Sequence, residues 1–474
     1  MNEGIAVHWF RQDLRLEDNP ALTAAVRHPR VLPVYILDDV NTKENPIGSA
    51  SKWWLHHSLI SLKDSLNGNL SFYKGNPLKI LKQLIDAFAV SAVYWNRCYE
   101  PWRIERDAKI KISLKQQGIY TESHNASLLW EPWTIKKSDQ TPYKVFTPFY
   151  RKGCLGSWPP RRPIPQPQKK EFIKDVKSSI SINKLDLLPT VRWDRSIKPH
   201  WKVGELGAKK RFQTFIDQGL ENYREGRNRP DKPFVSRLSP HIHFGEISPN
   251  QLWYSVKAMG KDPNIDHFCS ELGWREFSYS QLYHYPDLPK KNLQTKFDPF
   301  PWVEDQVLLL AWQKGNTGVP MVDAGMRELW QTGFMHNRVR MITGSYLVKN
   351  LRLDWRHGER WFWDTLLDAD LASNSASWQW VAGCGADAAP YFRIFNPITQ
   401  GQKFDPCGNY IRKYIPEIKE IPNKYLHQPW EAPDSVLQTA GVILGESYPF
   451  PIVDLKRSRA AALQAFQSLK SKLN

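Results

Sequence analysis

The sequence predicts an N-terminal α/β domain with a parallel sheet, a long linker, and an all-helical C-terminal domain. Three observations carry this. Strand-like runs alternate with helical patterns over the first 130 residues, a proline-rich stretch follows near residue 160, and helical periodicity takes over from about residue 204. The expected boundaries are 1–130, 131–203 and 204–474.

Short apolar and aromatic runs at residues 5–10, 31–37, 70–73, 92–94 and 119–123 have strand character. Helix-period segments at 51–66, 77–88 and 104–117 separate them, which is the alternation of a Rossmann-like sheet covered by helices. No GxGxxG follows the first strand, so the usual dinucleotide fingerprint is absent. After Trp158 the chain reads Pro-Pro-Arg-Arg-Pro-Ile-Pro-Gln-Pro, which lacks the backbone donors of a helix or central strand and predicts an extended linker. Beyond it, segments at 207–218, 265–283, 304–313, 321–330, 339–351, 360–367 and 457–473 predict a mainly helical domain. No internal repeat is evident.

Lys and Arg number 65 against 48 acidic residues, a formal charge of +17. A polyanionic partner is the first expectation, because neutralising phosphates releases condensed counterions. The 21 tryptophans suggest stacking surfaces or electron transfer beyond core filling. Cys98, Cys154, Cys269, Cys384 and Cys407 are odd in number, with no CxxC pair. Neither a disulfide framework nor a zinc site is indicated, and a reducing compartment fits. The start, Met-Asn-Glu-Gly, does not read as a signal peptide, and no apolar run is long enough to span a membrane.

The segment Asp368-Ala-Asp-Leu-Ala-Ser-Asn374-Ser-Ala-Ser-Trp378-Gln-Trp380 concentrates chemistry. Carboxylates two apart cannot share one helical face, so a turn is expected. Acids, an amide and flanking indoles suit a flat polar heterocycle whose edge needs hydrogen bonds. From this segment alone, a capped helix start with core tryptophans fits equally well.

Several short motifs resemble those of the photolyase–cryptochrome family. They are Phe10-Arg-Gln-Asp-Leu-Arg-Leu-Glu-Asp-Asn-Pro, Ser236-Arg-Leu-Ser-Pro, Trp274-Arg-Glu-Phe and Thr317-Gly-Val-Pro-Met-Val-Asp-Ala-Gly-Met-Arg. Met335-His-Asn-Arg, Asp354-Trp-Arg, Trp378-Gln-Trp and Arg393-Ile-Phe-Asn-Pro complete the set. Each is weak alone, but together they run in family order over most of the chain.

The resemblance implies an FAD cofactor. Ser236, Arg237, Leu238 and Ser239 would hold its pyrophosphate, with Tyr223, Phe268 and Arg275 around it. Val235 stands where a threonine commonly precedes the first serine, so one hydroxyl is lost. Arg340 and Asp368 match the pair beside the isoalloxazine, Asp370 a partner of its edge, and Asn337 a residue reaching adenine and substrate. Asn374 matches the residue facing flavin N5, where a neutral amide cannot hand over a proton and keeps reduced flavin anionic. Plant-type cryptochromes carry an acid there, so the amide points to repair. Trp378, Trp355 and Trp302 match a chain of indoles that passes electrons from the surface to the flavin.

For the lesion, Glu271, Trp274, Met341 and Trp380 match a pocket for a cyclobutane dimer flipped from the duplex. Glu271, kept protonated by burial, would donate to a thymine carbonyl. Arg227 and Arg338 match phosphate-positioning residues. His241 and His243 form an HxH pair, taken as structural because the family uses no metal there. Asn337 and Met341 stand where a six-four photolyase would carry its histidine pair, and His336 should turn elsewhere.

The expected activity is therefore blue-light repair of cyclobutane pyrimidine dimers in damaged DNA. The expected protein is a monomer with no protein partner and no membrane association, cytoplasmic in a bacterium and nucleoid-associated through DNA. A second, antenna chromophore is expected to be methenyltetrahydrofolate or a deazaflavin, with an empty pocket the third option. The stretch Trp95-Asn-Arg-Cys-Tyr-Glu differs from the Asn-Glu pair that grips folate in some bacterial enzymes. Ser375-Ala-Ser, where many relatives carry Asn-Gly-Gly, leans to the bacterial branch nearest plant cryptochromes. The rivals are a cryptochrome photoreceptor, a six-four photolyase, and a nucleic-acid-binding flavoprotein without photochemistry. Against the first stand Asn374 and the lack of an extension after Leu473.

Overall fold

Strand β1 (Ile5–Phe10) is buried along its whole length and lies at the centre of the N-terminal sheet. With β2 (Arg30–Leu37), β3 (Ser71–Lys74), β4 (Val90–Asn96) and β5 (Tyr120–His124) it forms the order β3-β2-β1-β4-β5, every pair parallel. The structure, a computed structural model, describes residues 4–42, 45–168, 171–388 and 392–471.

Because strand side chains alternate, the sheet feeds two cores. Ala6 and Phe10 pack with Trp53 and Trp54 of helix α1 (Ser49–Ser65) on one face. Ile5, Val7 and Trp9 pack on the other with Leu81 and Leu84 of α2 (Pro77–Phe88) and Ile110 and Leu114 of α3 (Pro101–Gln116). Asn76 caps α2 through the backbone N–H of Lys79, with Pro77 opening the helix. These are the elements the alternation predicts, 5–10 and 77–88 to the residue and the others with ends shifted by up to three.

The stretch after residue 130 does more than connect. Phe146 stacks flat on Trp274 at 3.9 Å, and the turn Phe149–Cys154 packs into the helical domain's core. A short strand β6 (Glu171–Phe172) adds to β2 with Arg30 opposite Glu171. The proline run is extended, as its prolines require. It is fastened by Arg161 to Asp18 and by the Tyr254 hydroxyl to the carbonyl of Pro160.

The C-terminal domain is helical. Its main elements are α4 (Glu205–Gln218), α5 (Pro263–His284), α6 (Pro320–Thr332), α7 (Asn337–Ser345), α8 (Trp355–Thr365), α9 (Leu371–Ala382) and α10 (Leu455–Ser471). Buried polar links dock it on the sheet domain: Trp54 Nε1 donates to Glu246 at 2.9 Å, and Arg15 donates to the carbonyl of Gly245 at 2.8 Å.

Three expectations change. The run expected at 339–351 is α7 followed by a π-helical turn, Tyr346–Asn350. The helix expected at 360–367 starts at Trp355, because Asp354 caps it through the N–H of Arg356. Its first turn has no apolar period, although Gly358 and Glu359 are buried. The residues after Asp370, read as following a turn, form α9, which is buried on several sides and so shows no amphipathic stripe. The expected end of the last helix at Leu473 lies outside the described residues. No helix among the described residues is long and apolar enough to cross a membrane.

Candidate active site

A cavity of about 570 Å³ opens into the helical domain. Helix α5 lines it with Phe268, Glu271, Arg275 and Ser278, three or four residues apart and therefore on one face. Helix α7 contributes Asn337, Arg338, Arg340 and Met341 from its first turns, and α9 contributes Asn374, Trp378 and Trp380. Tyr223, Arg227, Trp274, Asp368, Asp370 and the run Ser236, Arg237, Leu238 and Ser239 also line it. Trp355 and Trp302 lie outside it. They pack with Trp378 in one core, Trp355 fully buried and Trp302 half-buried against Phe300 at 4.3 Å.

At one end of the cavity Arg237 holds φ at +52°, a conformation costly for a residue with a side chain. Its guanidinium lies between the rings of Trp201 and Phe334, at 4.7 and 4.8 Å, with Nε and one Nη buried and unpartnered. Ser236 Oγ accepts only a long bond, 3.4 Å, from the N–H of Leu238. A half-buried cation whose spare donors are buried, beside two serines, fits a phosphate ligand.

Two acids organise the middle. Asp368 accepts from Arg340 Nη2 at 2.8 and 3.1 Å, and Arg340 Nε holds the carbonyl of Met335. Asp370 is the N-cap of α9, accepting from Ser373 N at 2.8 Å and from the Tyr279 hydroxyl. Burial works to raise Asp370, but His243, Arg275 and Tyr279 together hold it well below the usual carboxylate range. Both sequence readings of this segment hold at once: Asp368 lies on a turn, and Asp370 caps the helix after it.

Asn374 Nδ2 donates to the carbonyl of Glu359 at 3.0 Å, which anchors the nitrogen end of its amide away from the cavity. Glu359 Oε1 accepts from Ser375 Oγ at 2.7 Å, and burial pushes the Glu359 carboxyl up to about 6. Beside Asn374, Trp378 meets the Phe362 ring edge-on at 5.0 Å.

At the mouth, Trp274 and Trp380 form apolar walls. Trp274 is backed by Phe146, and Trp380 Nε1 donates to the carbonyl of Asp387 at 3.1 Å. Glu271 is not an isolated acid. Arg227, the arginine expected on DNA phosphate, grips both of its oxygens, at 2.6 and 2.8 Å. Arg338 lies over the Phe404 ring and donates to Asn228 at 2.6 Å. Arg275 stacks on Tyr279 and donates to the carbonyl of Ser127 at 2.6 Å. His336 is buried as the N-cap of α7 and does not line the cavity.

Sequence reasoning missed Tyr279, Glu359 and Phe146, and it set His243 aside. His241 is tied to Glu246, as a structural residue should be, but His243 lines the cavity with Nδ1 3.6 Å from Asp370. No motif flags these residues: Tyr279, Phe146 and His243 meet partners 91 or more residues away, and Glu359 reaches Asn374 and Ser375 from the neighbouring helix, 15 and 16 residues back.

Over 470 residues the chain is 46% identical to the deoxyribodipyrimidine photo-lyase of Agrobacterium fabrum, spanning 98% of this chain and 97% of that one. The chain belongs to the photolyase–cryptochrome family. The model described as DNA photolyase matches residues 6–168, and that described as the FAD binding domain of DNA photolyase matches residues 268–468. The crystal structure of a bacterial class III photolyase from Agrobacterium tumefaciens superposes with a TM-score of 0.95 at 45% identity, covering 99% of this chain and 98% of that one. Similarity within the family also reaches Cryptochrome-1 of Arabidopsis thaliana, 37% identical over 98% of this chain and 70% of that protein.

Proposed function

We propose that the protein is a light-driven lyase that reverses cyclobutane pyrimidine dimers in DNA. The observation that carries this is the cavity mouth. Trp274, Trp380, Glu271, Asn337 and Met341 line the same cavity, together with the buried Asn374. Two adjacent bases joined in a puckered dimer and flipped from the duplex would pack against its apolar walls.

FAD is the cofactor, bound by Ser236, Ser239, the Leu238 N–H and Arg237 at its phosphates and by Arg340, Asp368 and Asp370 along its ring. When bound, reduced and excited by blue light, the flavin would lend one electron to the dimer and take it back once the ring has split. The chain's own residues bind and orient. Trp274 and Trp380 exclude water from the dimer faces, while Glu271 and Asn337 stabilise the thymine carbonyls as charge develops there. Arg227 and Arg338 steer the DNA backbone. Trp378, Trp355 and Trp302 carry electrons inward from the surface. Asn337 and Met341 cannot act as general acids, so six-four products are not substrates.

A second chromophore, a methenyl folate or a deazaflavin, has a place in the crevice beyond the carboxyl ends of β1 and β2. Trp9, Arg11, Trp102, Arg103 and Arg106 line it, and His243 and Ala369 line both it and the flavin cavity. The protein works as a monomer on damaged DNA, with no membrane and no protein partner. The similarity to Cryptochrome-1 supports one rival, a photoreceptor without repair. Illuminating reduced protein with ultraviolet-damaged oligothymidylate tests the choice, because repair restores the thymine absorbance and a photoreceptor leaves it unchanged.

A further inference from the structure

A second cavity, of about 120 Å³, shares Trp380 and Val381 with the first. Its floor carries Lys349, which is 1% exposed, and its rim carries the exposed Lys296 and Arg393. No carboxylate is among the described residues that line it. Aromatic rings form its sides: Phe392 stacks on Phe466 at 4.6 Å, and Phe297 stands beside Phe466 at 5.9 Å.

Lys349 has two partners, neither of them an anion. Its Nζ donates to the carbonyl of Ala382, the last residue of α9, at 2.6 Å, and lies 3.1 Å from the centre of the Phe392 ring. An ammonium has three donors, and a buried ammonium without a full counter-charge is costly. Burial accordingly holds the Lys349 ammonium well below the usual lysine range. The carbonyl and the ring account for its place as a cap of α9. They do not account for a cavity lined by three cationic side chains and no acid.

We infer that this cavity is an anion site for a phosphate group, with Lys349 as its floor and Lys296 and Arg393 as its gate. The inference rests on the proposed reading in one respect, namely that Trp380, a wall of both cavities, faces the dimer. A bound phosphate would neutralise the buried ammonium and brace α9 at its C-terminal end, where Trp380 stands. Two sources share this chemistry. One is free phosphate or a phosphate ester from solution. The other is a backbone phosphate of the DNA substrate, since Arg393 lies near enough to Arg338 for their charges to interact.

Calorimetric titration of the FAD-loaded protein with inorganic phosphate, at ionic strength held constant with chloride, tests the site. Saturable binding is expected, weakened about tenfold or more by Lys349→Met and by the rim double variant Lys296→Met, Arg393→Gln. The rim variant alters exposed residues only, so it remains informative if Lys349→Met fails to fold. A parallel titration with undamaged duplex DNA separates the sources and does not depend on repair. If a DNA phosphate is the occupant, the rim variant lowers the salt slope and free phosphate competes with DNA; if not, phosphate binds without competing. Phosphate binding of equal strength in all variants overturns the site. So does the absence of saturable binding together with an unchanged DNA salt slope.

Discussion

Arg227 and Glu271 face each other as a two-pronged ion pair, Nη1 to Oε1 at 2.6 Å and Nη2 to Oε2 at 2.8 Å. Both carboxylate oxygens are engaged, so Glu271 cannot donate to a lesion carbonyl until the pair opens. A DNA phosphate is the natural competitor for the guanidinium. Burial raises Glu271, while Arg227 is the charge that lowers it. Arg227→Gln is therefore expected to reduce the salt slope of DNA binding by about 1. It should also move the pH at which lesion affinity declines upward, since the protonated acid then persists to higher pH. An unchanged pH profile would mean that the pair does not control Glu271.

Gly358 is the contact between α8 and Trp378. A Cβ at this position would stand 2.1 Å from Trp378 Cη2. Alanine is the better helix former by about 1 kcal/mol, but overpacking a core costs about 1–3 kcal/mol, so the clash wins. Gly358→Ala is expected to lower Tm and slow light-driven flavin reduction together. A raised Tm would show that Trp378 does not pack there.

Trp378→Phe removes the easily oxidised indole next to Asn374 while keeping an aromatic ring in the core. Light-driven reduction of oxidised flavin should stop, whereas repair by chemically pre-reduced protein should persist. Photoreduction at the wild-type rate would remove Trp378 from electron transfer.

Glu359 links Asn374 and Ser375 to α8, and its carboxyl sits at about 6 in the folded protein. The unfolded value is about 4.3. The folded state thus binds this proton more tightly. The resulting stabilisation is fully present below pH about 4.3 and is lost as pH rises through about 6, a change of about 2 kcal/mol. Glu359→Gln mimics the protonated acid and should remove that loss. Unfolding midpoints measured for both proteins from acid to neutral pH give the difference, and parallel curves would refute the assignment.

The sheet domain is legible in the sequence because each strand is short, apolar and followed by a helix with its own period. The first strand is readable to the residue, Ile5–Phe10. Helix α9 is not, because Leu371, Asn374, Ser375, Trp378 and Gln379 are all buried and leave no polar face to reveal a period. The cavity residues come from the family motifs, and the structure gathers them in one place, with Trp355 and Trp302 set back in the core. The pairings within the cavity are a different matter. Arg227 with Glu271, Asn374 with Glu359 and Tyr279 with Asp370 join segments that no local pattern connects. Long-range geometry, not residue type, decides whether an acid is free, paired or capped.

Which lesion the protein repairs is tested with two defined substrates. FAD-loaded, reduced protein is illuminated with blue light in the presence of an oligonucleotide carrying a single cyclobutane thymine dimer, and in parallel one carrying a single six-four product. Chromatography then quantifies the restored strands. The account predicts light-dependent restoration of the dimer-containing strand alone, with loss of yield in Glu271→Ala. Restoration of the six-four strand, or of neither strand, would contradict it.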